Sequence, residues 1–428
     1  MQIKLLRLYF ISLILGVLVG IAGSAFREII DILSQILPNS TTVTTDSKGF
    51  LAVAAGLISM VMVGLAYLGV RYFAPEAGGS GVQEIEGALL HLRLVHWHRL
   101  LPVKFFAGIL ALGAKMLLGR EGPTIHIGGN LGEMLGSIAA LSRRRRDSLI
   151  AAGAAAGLAV AFNAPLAGVI FVMEEMRNQF NYSFTSFTMV VISCLVATLM
   201  QNFLLGAQPN IPMSIFQFPA LDAMWLFACF GFFVGFVALI FNKYLMRLLF
   251  CIDNLSAGNK LVYALVIGFA VGFLAIYFPA LVGGGDEIIH QALTLSLDLK
   301  ILIILFVLRF IGTLACYATG VPGGIFAPVL ALGTLFGLAV FNLFQLMHLD
   351  FYTQPGMFAV AGMAALFAGV TRSPITGGVL VVEMTQNYSL IFPVMMACIT
   401  ATIVLQLARN APIYEQLLQR TLKNSQAH

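Results

Sequence analysis

The chain has 428 residues, of which 59% are hydrophobic and only 10% are charged, with a formal net charge of +5. A soluble domain of ordinary make-up has about 25% charged residues, so this composition excludes a water-soluble globular protein. The basic residues lie in short connections between apolar segments, which is typical of positive-inside membrane topology and argues against a nucleic-acid-binding face.

The first predicted element is an apolar helix at the N-terminus. Residues 8–26 contain no Asp, Glu, Lys or Arg and follow Lys4 and Arg7. This run is longer than the roughly 7–15 apolar residues of a secretory signal, so it predicts a retained helix with a cytoplasmic N-terminus. Further uncharged runs lie between residues 49 and 349, and a bilayer crossing needs about 20 apolar residues. The sequence therefore predicts an all-α, polytopic membrane protein.

Three Gly/Pro-rich interruptions follow along the chain, at residues 78–83, 119–123 and 320–328. Irregular backbone at membrane depth is tolerated only where it is buried in protein or lines a polar cavity. Glycine followed by proline in the first turn is also how many helices start. The pattern predicts three helix N-termini inside the membrane, whose free N–H groups and positive dipole ends bind anions. The alternative is that these glycines serve only close helix packing.

Two side chains in these interruptions are candidates for function. Ser80 offers a hydroxyl group to a bound anion. Glu121 stands at a predicted helix N-terminus, where a carboxylate is either a capping group or a tethered competitor for the anion. If it competes, its protonation releases the site and couples anion movement to a proton.

The second half of the chain repeats the first. Residues 152–174 align without gaps with residues 361–383, and nine of the 23 positions are identical, including a proline and the final glutamate. Upstream, residues 119–123 align with residues 324–328. Two collinear matches in the same order indicate an internal duplication.

Charge gives the two copies opposite orientations. The connection in the first copy contains the four arginines Arg143–Arg146, whereas the equivalent connection in the second, residues 345–356, contains no Lys or Arg. By the positive-inside rule the first connection faces the cytoplasm and the second faces outward. We therefore predict one transport domain over residues 1–428, built from two inverted repeats at about 8–205 and 223–414, with no soluble regulatory domain. In such proteins the substrate site lies at the midplane between the repeats.

Two adjacent acids, Glu174 and Glu175, follow the apolar segment of the first repeat on the predicted cytoplasmic side. Acids at such a boundary are either solvated or part of a proton relay, and the sequence alone does not distinguish which of the two faces inward. The cysteines and histidines lack metal-ligand spacing, and no Gly-x4-Gly-Lys-Ser/Thr loop is present. We expect no metal, no other cofactor and no ATP-driven step.

Together these motifs resemble those of the CLC family of chloride channels and transporters over nearly the whole chain. Gly-Ser-Gly at 79–81 resembles the first family motif, Gly-Arg-Glu-Gly-Pro at 119–123 the second, Gly-Gly-Ile-Phe-Ala-Pro at 323–328 the third, and Pro-Ile-Tyr at 412–414 the fourth. The likeness is strongest to bacterial proton-coupled chloride antiporters. It implies about 18 broken and tilted helices per subunit and a homodimer with one pore in each subunit. It also implies a bacterial inner-membrane location, with both termini cytoplasmic.

The resemblance also implies a central chloride site. The hydroxyl groups of Ser80 and Tyr414 would donate hydrogen bonds to the ion. The backbone N–H groups of Ile325 and Phe326 would complete its shell. Without the resemblance, Tyr414 would be read as an interfacial aromatic residue.

An outer anion site and two proton acids are implied as well. The outer site consists of the backbone N–H groups from Arg120 to Gly122, and the Glu121 carboxylate occupies it when ionised. Glu175 matches the inner proton-transfer acid of the family.

One position departs from the family pattern. The first motif usually reads Gly-Ser-Gly-Ile-Pro, whereas this chain has Val82 and Gln83 at its end. Glutamine restores an N–H group and frees the φ angle that proline fixes, so we expect the backbone near Ser80, and the strictness of anion choice, to differ. The serine itself favours chloride, because relatives with proline there use nitrate and fluoride exporters lack the Ser and Tyr pattern.

Three functions are compared at this stage. The first is proton-coupled chloride exchange, favoured because both Glu121 and Glu175 are present; the second is a passive voltage- or pH-gated chloride channel, which often lacks the inner acid. The third is an intramembrane protease, since residues 78–81 fit a serine type with His126 as base. Residues 283–286 fit the Gly-x-Gly-Asp of an aspartyl type, but the Tyr-Asp that this type also needs is absent. The expected class is a transporter and not an enzyme, with chloride and protons as the species moved.

Overall fold

The computed structural model describes residues 2–37, 48–177, 182–218, 221–294, 297–347 and 353–426, and these residues form 17 α-helices without a β-strand. The predicted all-helical fold is confirmed, with 17 rather than about 18 helices in the described part of the chain. Part of the connection without Lys or Arg, between residues 345 and 356, lies outside the described residues. The helices are α1 (Gln2–Ser34), α2 (Lys48–Phe73), α3 (Val82–Leu89), α4 (Trp97–Gly113), α5 (Glu121–Ile138), α6 (Arg143–Phe162), α7 (Pro165–Glu174), α8 (Phe184–Leu205), α9 (Met224–Asp253), α10 (Ala257–Tyr277), α11 (Asp286–Thr294), α12 (Leu299–Ala318), α13 (Phe326–Leu346), α14 (Pro355–Thr371), α15 (Pro374–Thr385), α16 (Ile391–Leu407) and α17 (Ile413–Gln426).

The helices differ in their surroundings: some are buried in protein, and others have exposed outer faces. The side chains of α6 from Ser148 onward and nearly all of α14 are buried, so this pair forms the centre of the molecule. Eight helices among the described residues are long and apolar enough to cross a bilayer. Large apolar side chains on their outer faces, such as Phe50, Phe203 and Phe250, are exposed. An apolar outer surface of this extent is stable in lipid and not in water, so the chain is an integral membrane protein.

The two repeats adopt the same architecture. Helices α1–α8 correspond in order to α9–α16, and α17 follows the second set. In the first repeat Gly128 packs against the carbonyl group of Gly153, and in the second Gly333 packs against that of Gly362. A side chain at any of these positions would collide with backbone, which is why small residues mark the α5–α6 and α13–α14 contacts.

The repeats are joined by an exchange of carboxylate caps. Glu174, at the end of α7, accepts hydrogen bonds from the N–H groups of Ile375 (3.1 Å) and Thr376 (2.7 Å) at the start of α15. Glu383, near the end of α15, accepts hydrogen bonds from Leu166 (3.1 Å) and Ala167 (2.7 Å) at the start of α7. Each helix begins where the other ends, so α7 and α15 are antiparallel, as inverted repeats require. Glu174 is a helix cap and not a free surface acid.

Helix α17 is fastened to the second repeat. Arg420 forms a bidentate ion pair with Asp253, with both nitrogen–oxygen distances at 2.6 Å. Before the helix, Asn242 donates a hydrogen bond of 3.0 Å to the side chain of Asn410. These contacts carry Tyr414, in the first turn of α17, into the centre of the molecule, where it is fully buried.

Candidate functional site

Backbone hydrogen bonds draw the three glycine-rich interruptions together. Gly79 donates to the carbonyl of Val321 (3.2 Å), and Gly323 donates back to Gly79 (3.1 Å). Gly119 and Gly324 exchange two hydrogen bonds of 2.8 and 2.7 Å. Because these short ladders lie immediately before α3, α5 and α13, the N-termini of the three helices converge on one region.

The turn before α3 depends on a glycine. Gly81 has a φ of +92°, a left-handed conformation that other residues rarely adopt. A Cβ atom at Gly81 would collide with the ring of His126, and one at Gly122 would collide with Ser80. Ser80 therefore lies directly against the N-terminus of α5.

A buried cation fixes this turn in each repeat. Lys104 of α4 is fully buried, and its Nζ atom donates to the carbonyls of Ala77 (2.9 Å) and Gly79 (2.7 Å). Its repeat equivalent, Arg309 of α12, is also fully buried and donates to the carbonyls of Ala280 and Gly283, each at 2.9 Å. Sequence reasoning missed this pair. The available signal was a basic residue at the same repeat position in two apolar segments.

Two hydroxyl groups at the convergence point are unpaired. Ser80 and Tyr414 lie close to each other and are fully buried, yet neither oxygen has a hydrogen-bond partner within the described part of the chain. The ring of Tyr414 is held by Phe326, with 5.6 Å between ring centroids. A buried polar group without a partner costs about 1–3 kcal/mol, so two such hydroxyls together are suited to a ligand that accepts hydrogen bonds.

Helix α13 supplies the backbone side of this region. Ile325 is its N-cap and Phe326 its first residue. The first N–H groups of an α-helix have no acceptor within the helix, and the positive end of its dipole lies there. Through its ring contact with Phe326, Tyr414 thus lies beside the N-terminus of α13.

Glu121 occupies the gap between two helix N-termini. It is the first residue of α5 and only 2% exposed. Its carboxylate lies against its own N–H group and that of Ala327 in the first turn of α13, while Oε2 lacks a well-formed hydrogen bond. The residue lines a cavity of about 200 Å³. This cavity opens at the end of α5 that is remote from Arg143–Arg146.

Arg120 stands next to Glu121, and its charge interacts electrostatically with the Glu121 carboxylate. It is the N-cap of α5. Its guanidinium group donates to Asn210 at 3.1 Å and lies 3.9 Å from Asp286, on the wall of the cavity. Of the backbone from Arg120 to Gly122, the N–H group of Glu121 lies against the Glu121 carboxylate.

Glu175 lies on the other side of the convergence point. Glu86 of α3 and Glu415 of α17 are near enough to interact electrostatically with it. The end of α3 is tied to the arginine-rich side, because His91 accepts a 3.1 Å hydrogen bond from Arg143. The two acids singled out from the sequence, Glu121 and Glu175, therefore flank the site from opposite sides.

Gln83 uses its side chain in the turn. Its Oε1 accepts a hydrogen bond of 3.2 Å from the N–H group of Gly81. One backbone donor next to Ser80 is thereby taken by a side chain. The departure from the family motif thus changes which N–H groups are free at this site.

The described residues do not form the serine–histidine pair that an intramembrane serine protease needs. His126 packs on the turn that carries Ser80, but neither its Nδ1 nor the serine hydroxyl has a hydrogen-bond partner among the described residues. Asp286, of the possible aspartyl motif, faces Arg120 instead. Within the described ranges no group of three or more His, Cys, Asp or Glu side chains is arranged to hold a metal ion.

Comparison with known proteins gives consistent matches. The family model described as voltage gated chloride channel matches residues 62–406. A relative from Vibrio parahaemolyticus, named H(+)/Cl(-) exchange transporter ClcA, is 45% identical over 418 residues, covering 96% of this chain and 89% of the relative.

Solved structures show the same fold. A slow cyanobacterial Cl-/H+ antiporter superposes with a TM-score of 0.92 and 34% sequence identity, covering 97% of this chain and 98% of its own. A CLC-type fluoride/proton antiporter superposes with a TM-score of 0.78 over 97% of this chain and 98% of its own, but at 19% identity this likeness concerns the fold alone.

Proposed function

The chain belongs to the voltage-gated chloride channel family, the CLC family, and from this membership and its site we propose that it exchanges chloride for protons across a membrane. The observation that carries the proposal is the position of Glu121, a carboxylate held between the N-termini of α5 and α13 where an anion would bind. Its relative in Vibrio parahaemolyticus carries the name of an H(+)/Cl(-) exchange transporter.

The proposed chloride site is central and uncharged. The Ser80 and Tyr414 hydroxyls, both without partners among the described groups, donate to the ion. The N–H groups of Ile325 and Phe326 at the start of α13 donate as well. Because no full positive charge touches the ion, binding is weak enough for release, which transport requires.

Glu121 is the proposed outer gate. Ionised, its carboxylate satisfies the N–H groups from Arg120 to Gly122 and excludes chloride from them. Protonated, it loses its attraction to the positive helix ends and leaves this outer site to chloride. The outer site is therefore occupied either by the ionised carboxylate or by chloride, and chloride enters it only while Glu121 carries a proton, which couples the two movements.

Glu175 is the proposed inner proton acid. It lies on the arginine-rich side of the site, which the positive-inside rule assigns to the cytoplasm. A proton from that side reaches Glu175 and then Glu121, while chloride passes through the central site. We further propose an inner-membrane location with both termini cytoplasmic, and a homodimer with one pore in each subunit.

A passive chloride channel is the alternative function. Glu175 distinguishes the two functions, because a channel does not need an inner proton acid.

The test uses purified protein in liposomes loaded with high chloride, with chloride efflux and external pH recorded together. Exchange predicts proton uptake against the proton gradient in the wild type and chloride movement without protons in Glu121→Ala. Glu287→Gln, an exposed acid on the same cavity, is the matched control and should behave as the wild type. Chloride efflux without proton movement in the wild type would establish the channel.

A further inference from the structure

A hydrogen bond joins the inner acid to a residue of the opposite repeat. The hydroxyl group of Ser373 donates to the Glu175 carboxylate, and Ser373 itself is only 1% exposed. Ser373 is the N-cap of α15, a position where a serine hydroxyl usually accepts a hydrogen bond from the N–H group two or three residues later. Here it makes no such cap, because Glu174 already accepts the N–H groups of Ile375 and Thr376. The Ser373 hydroxyl is thereby free to serve Glu175.

The equivalent junction, between the end of α15 and the start of α7, provides an internal control for this contact. In the repeat alignment Ala164 corresponds to Ser373, and Met384 corresponds to Glu175. Glu383 caps the start of α7 with the same two hydrogen bonds that Glu174 makes to α15. The α7–α15 contact thus forms with an alanine and a methionine at these places. The hydroxyl–carboxylate pair is not needed for the architecture and, of these two junctions, occurs only at the one between the end of α7 and the start of α15.

The surroundings of Glu175 otherwise oppose its ionisation. Three further acids and a tyrosine interact with it, and Arg177, a cation that also interacts with it, is exposed. Burial and neighbouring carboxylates disfavour a negative charge, whereas a hydrogen-bond donor favours it. Within the described part of the chain, Ser373 is the side chain that donates a hydrogen bond to Glu175. The titratable and charged groups facing Glu175 are Glu174, Arg177, Glu86, Tyr414 and Glu415.

We propose that Ser373 is a positioning residue for proton transfer, which holds one oxygen of Glu175 and stabilises its ionised form. This inference rests on the proposed exchange function. Ser373 then sets the cytoplasmic pH range in which Glu175 releases and accepts protons. The chloride path itself does not use the hydroxyl.

The test measures proton uptake against internal pH at a fixed chloride gradient in liposomes. Ser373→Ala removes the donor, so Glu175 keeps its proton to higher pH, and the half-maximum should shift by about half to one pH unit toward alkaline values. Ser373→Thr keeps a hydroxyl and should restore the wild-type profile. Ala164→Ser, the equivalent position of the first repeat, is the matched control and should not shift it.

Two double variants distinguish a loss of Glu175 positioning from damage to the fold. In Glu121→Ala, where chloride should move without protons, adding Ser373→Ala should leave chloride flux unchanged. In Glu175→Gln, adding Ser373→Ala should change nothing, because the acceptor charge is gone. An unshifted profile in Ser373→Ala, or an equal shift in Ser373→Thr, would overturn the inference while exchange by the wild type stands. Absence of proton flux in the wild type would instead overturn the proposed function, and this inference with it.

Discussion

In the first repeat the helix that starts at the site begins with Glu121, and in the second repeat the equivalent helix α13 begins with Phe326. Both helices start after a glycine of the same backbone ladder, formed by Gly119 and Gly324. One copy presents an ionisable side chain to the region where the helix N-termini converge. The other presents backbone N–H groups and an aromatic ring.

The same contrast appears at the other side of the site. Glu175 in the first repeat corresponds to Met384 in the second, whereas the neighbouring Glu174 and Glu383 are the same and form equivalent caps. Features present in both copies build the scaffold, and features present in one copy are candidates for proton chemistry. The difference between equivalent positions therefore separates structural from functional residues without any other sequence.

The largest expected effect follows from neutralising Glu121. Glu121→Gln cannot gain or lose a proton, so proton flux should fall to the background of protein-free liposomes while chloride still moves. Wild-type chloride flux should rise as external pH falls, and this dependence should vanish in the variant. Phe326→Leu changes the equivalent residue of the second repeat and should keep proton flux. Proton flux that persists in Glu121→Gln would show that Glu121 is not the residue that distinguishes the two repeats in proton transfer.

The exchanged caps should have similar effects on stability, somewhat larger for Glu174, which also accepts a 2.8 Å hydrogen bond from the Thr376 hydroxyl. Glu174→Ala and Glu383→Ala each remove a carboxylate that accepts two backbone N–H groups, and each should lower the free energy of unfolding by about 1–2 kcal/mol. Chemical denaturation in detergent micelles measures both. A cost confined to one of the two variants would contradict their assignment as equivalent caps.

The unpaired hydroxyls should account for part of the chloride affinity. Ser80→Ala and Tyr414→Phe each remove one donor, worth about 0.5–1.5 kcal/mol, so the dissociation constant should rise by up to about tenfold. Isothermal titration with chloride measures this change. Ser59→Ala removes a buried hydroxyl that is bonded to Ala114 at 3.0 Å and is the control. Unchanged affinity in both site variants would exclude these hydroxyls as ligands.

The smallest effect concerns Gln83. Gln83→Ala frees the N–H group of Gly81 from the glutamine side chain, and one additional donor beside Ser80 should strengthen chloride binding about two- to fivefold. The same titration measures it, with competition by nitrate as a check on selectivity. Weaker chloride binding in Gln83→Ala would mean that the glutamine supports the turn and does not consume a donor.

The features that depend on short sequence patterns could be predicted from the sequence. The interruptions predicted three helix N-termini, the repeat predicted two matching halves, and the uncharged runs predicted the polytopic helical fold. These signals are local because glycine, proline and apolar residues restrict the backbone where they stand.

Contacts between distant segments cannot be predicted from the sequence in this way. Glu174 caps residues 375 and 376, about two hundred positions away in the chain, and a solvated acid has the same sequence signature. Lys104 resembles a boundary residue until its two carbonyl partners are known. The hydrogen bond from the Gly81 N–H group to the Gln83 side chain is likewise a contact that the sequence does not specify.

The most direct test of the central claim is a balance of gradients. A fixed chloride gradient is imposed across liposomes containing the protein, and the opposing proton gradient is varied, with the membrane potential held at a set value, until net chloride flux stops. Exchange predicts that a finite pH difference halts the flux in the wild type and that no pH difference does so in Glu121→Gln. A wild-type balance point that ignores the pH difference would contradict coupling and leave a passive anion pathway.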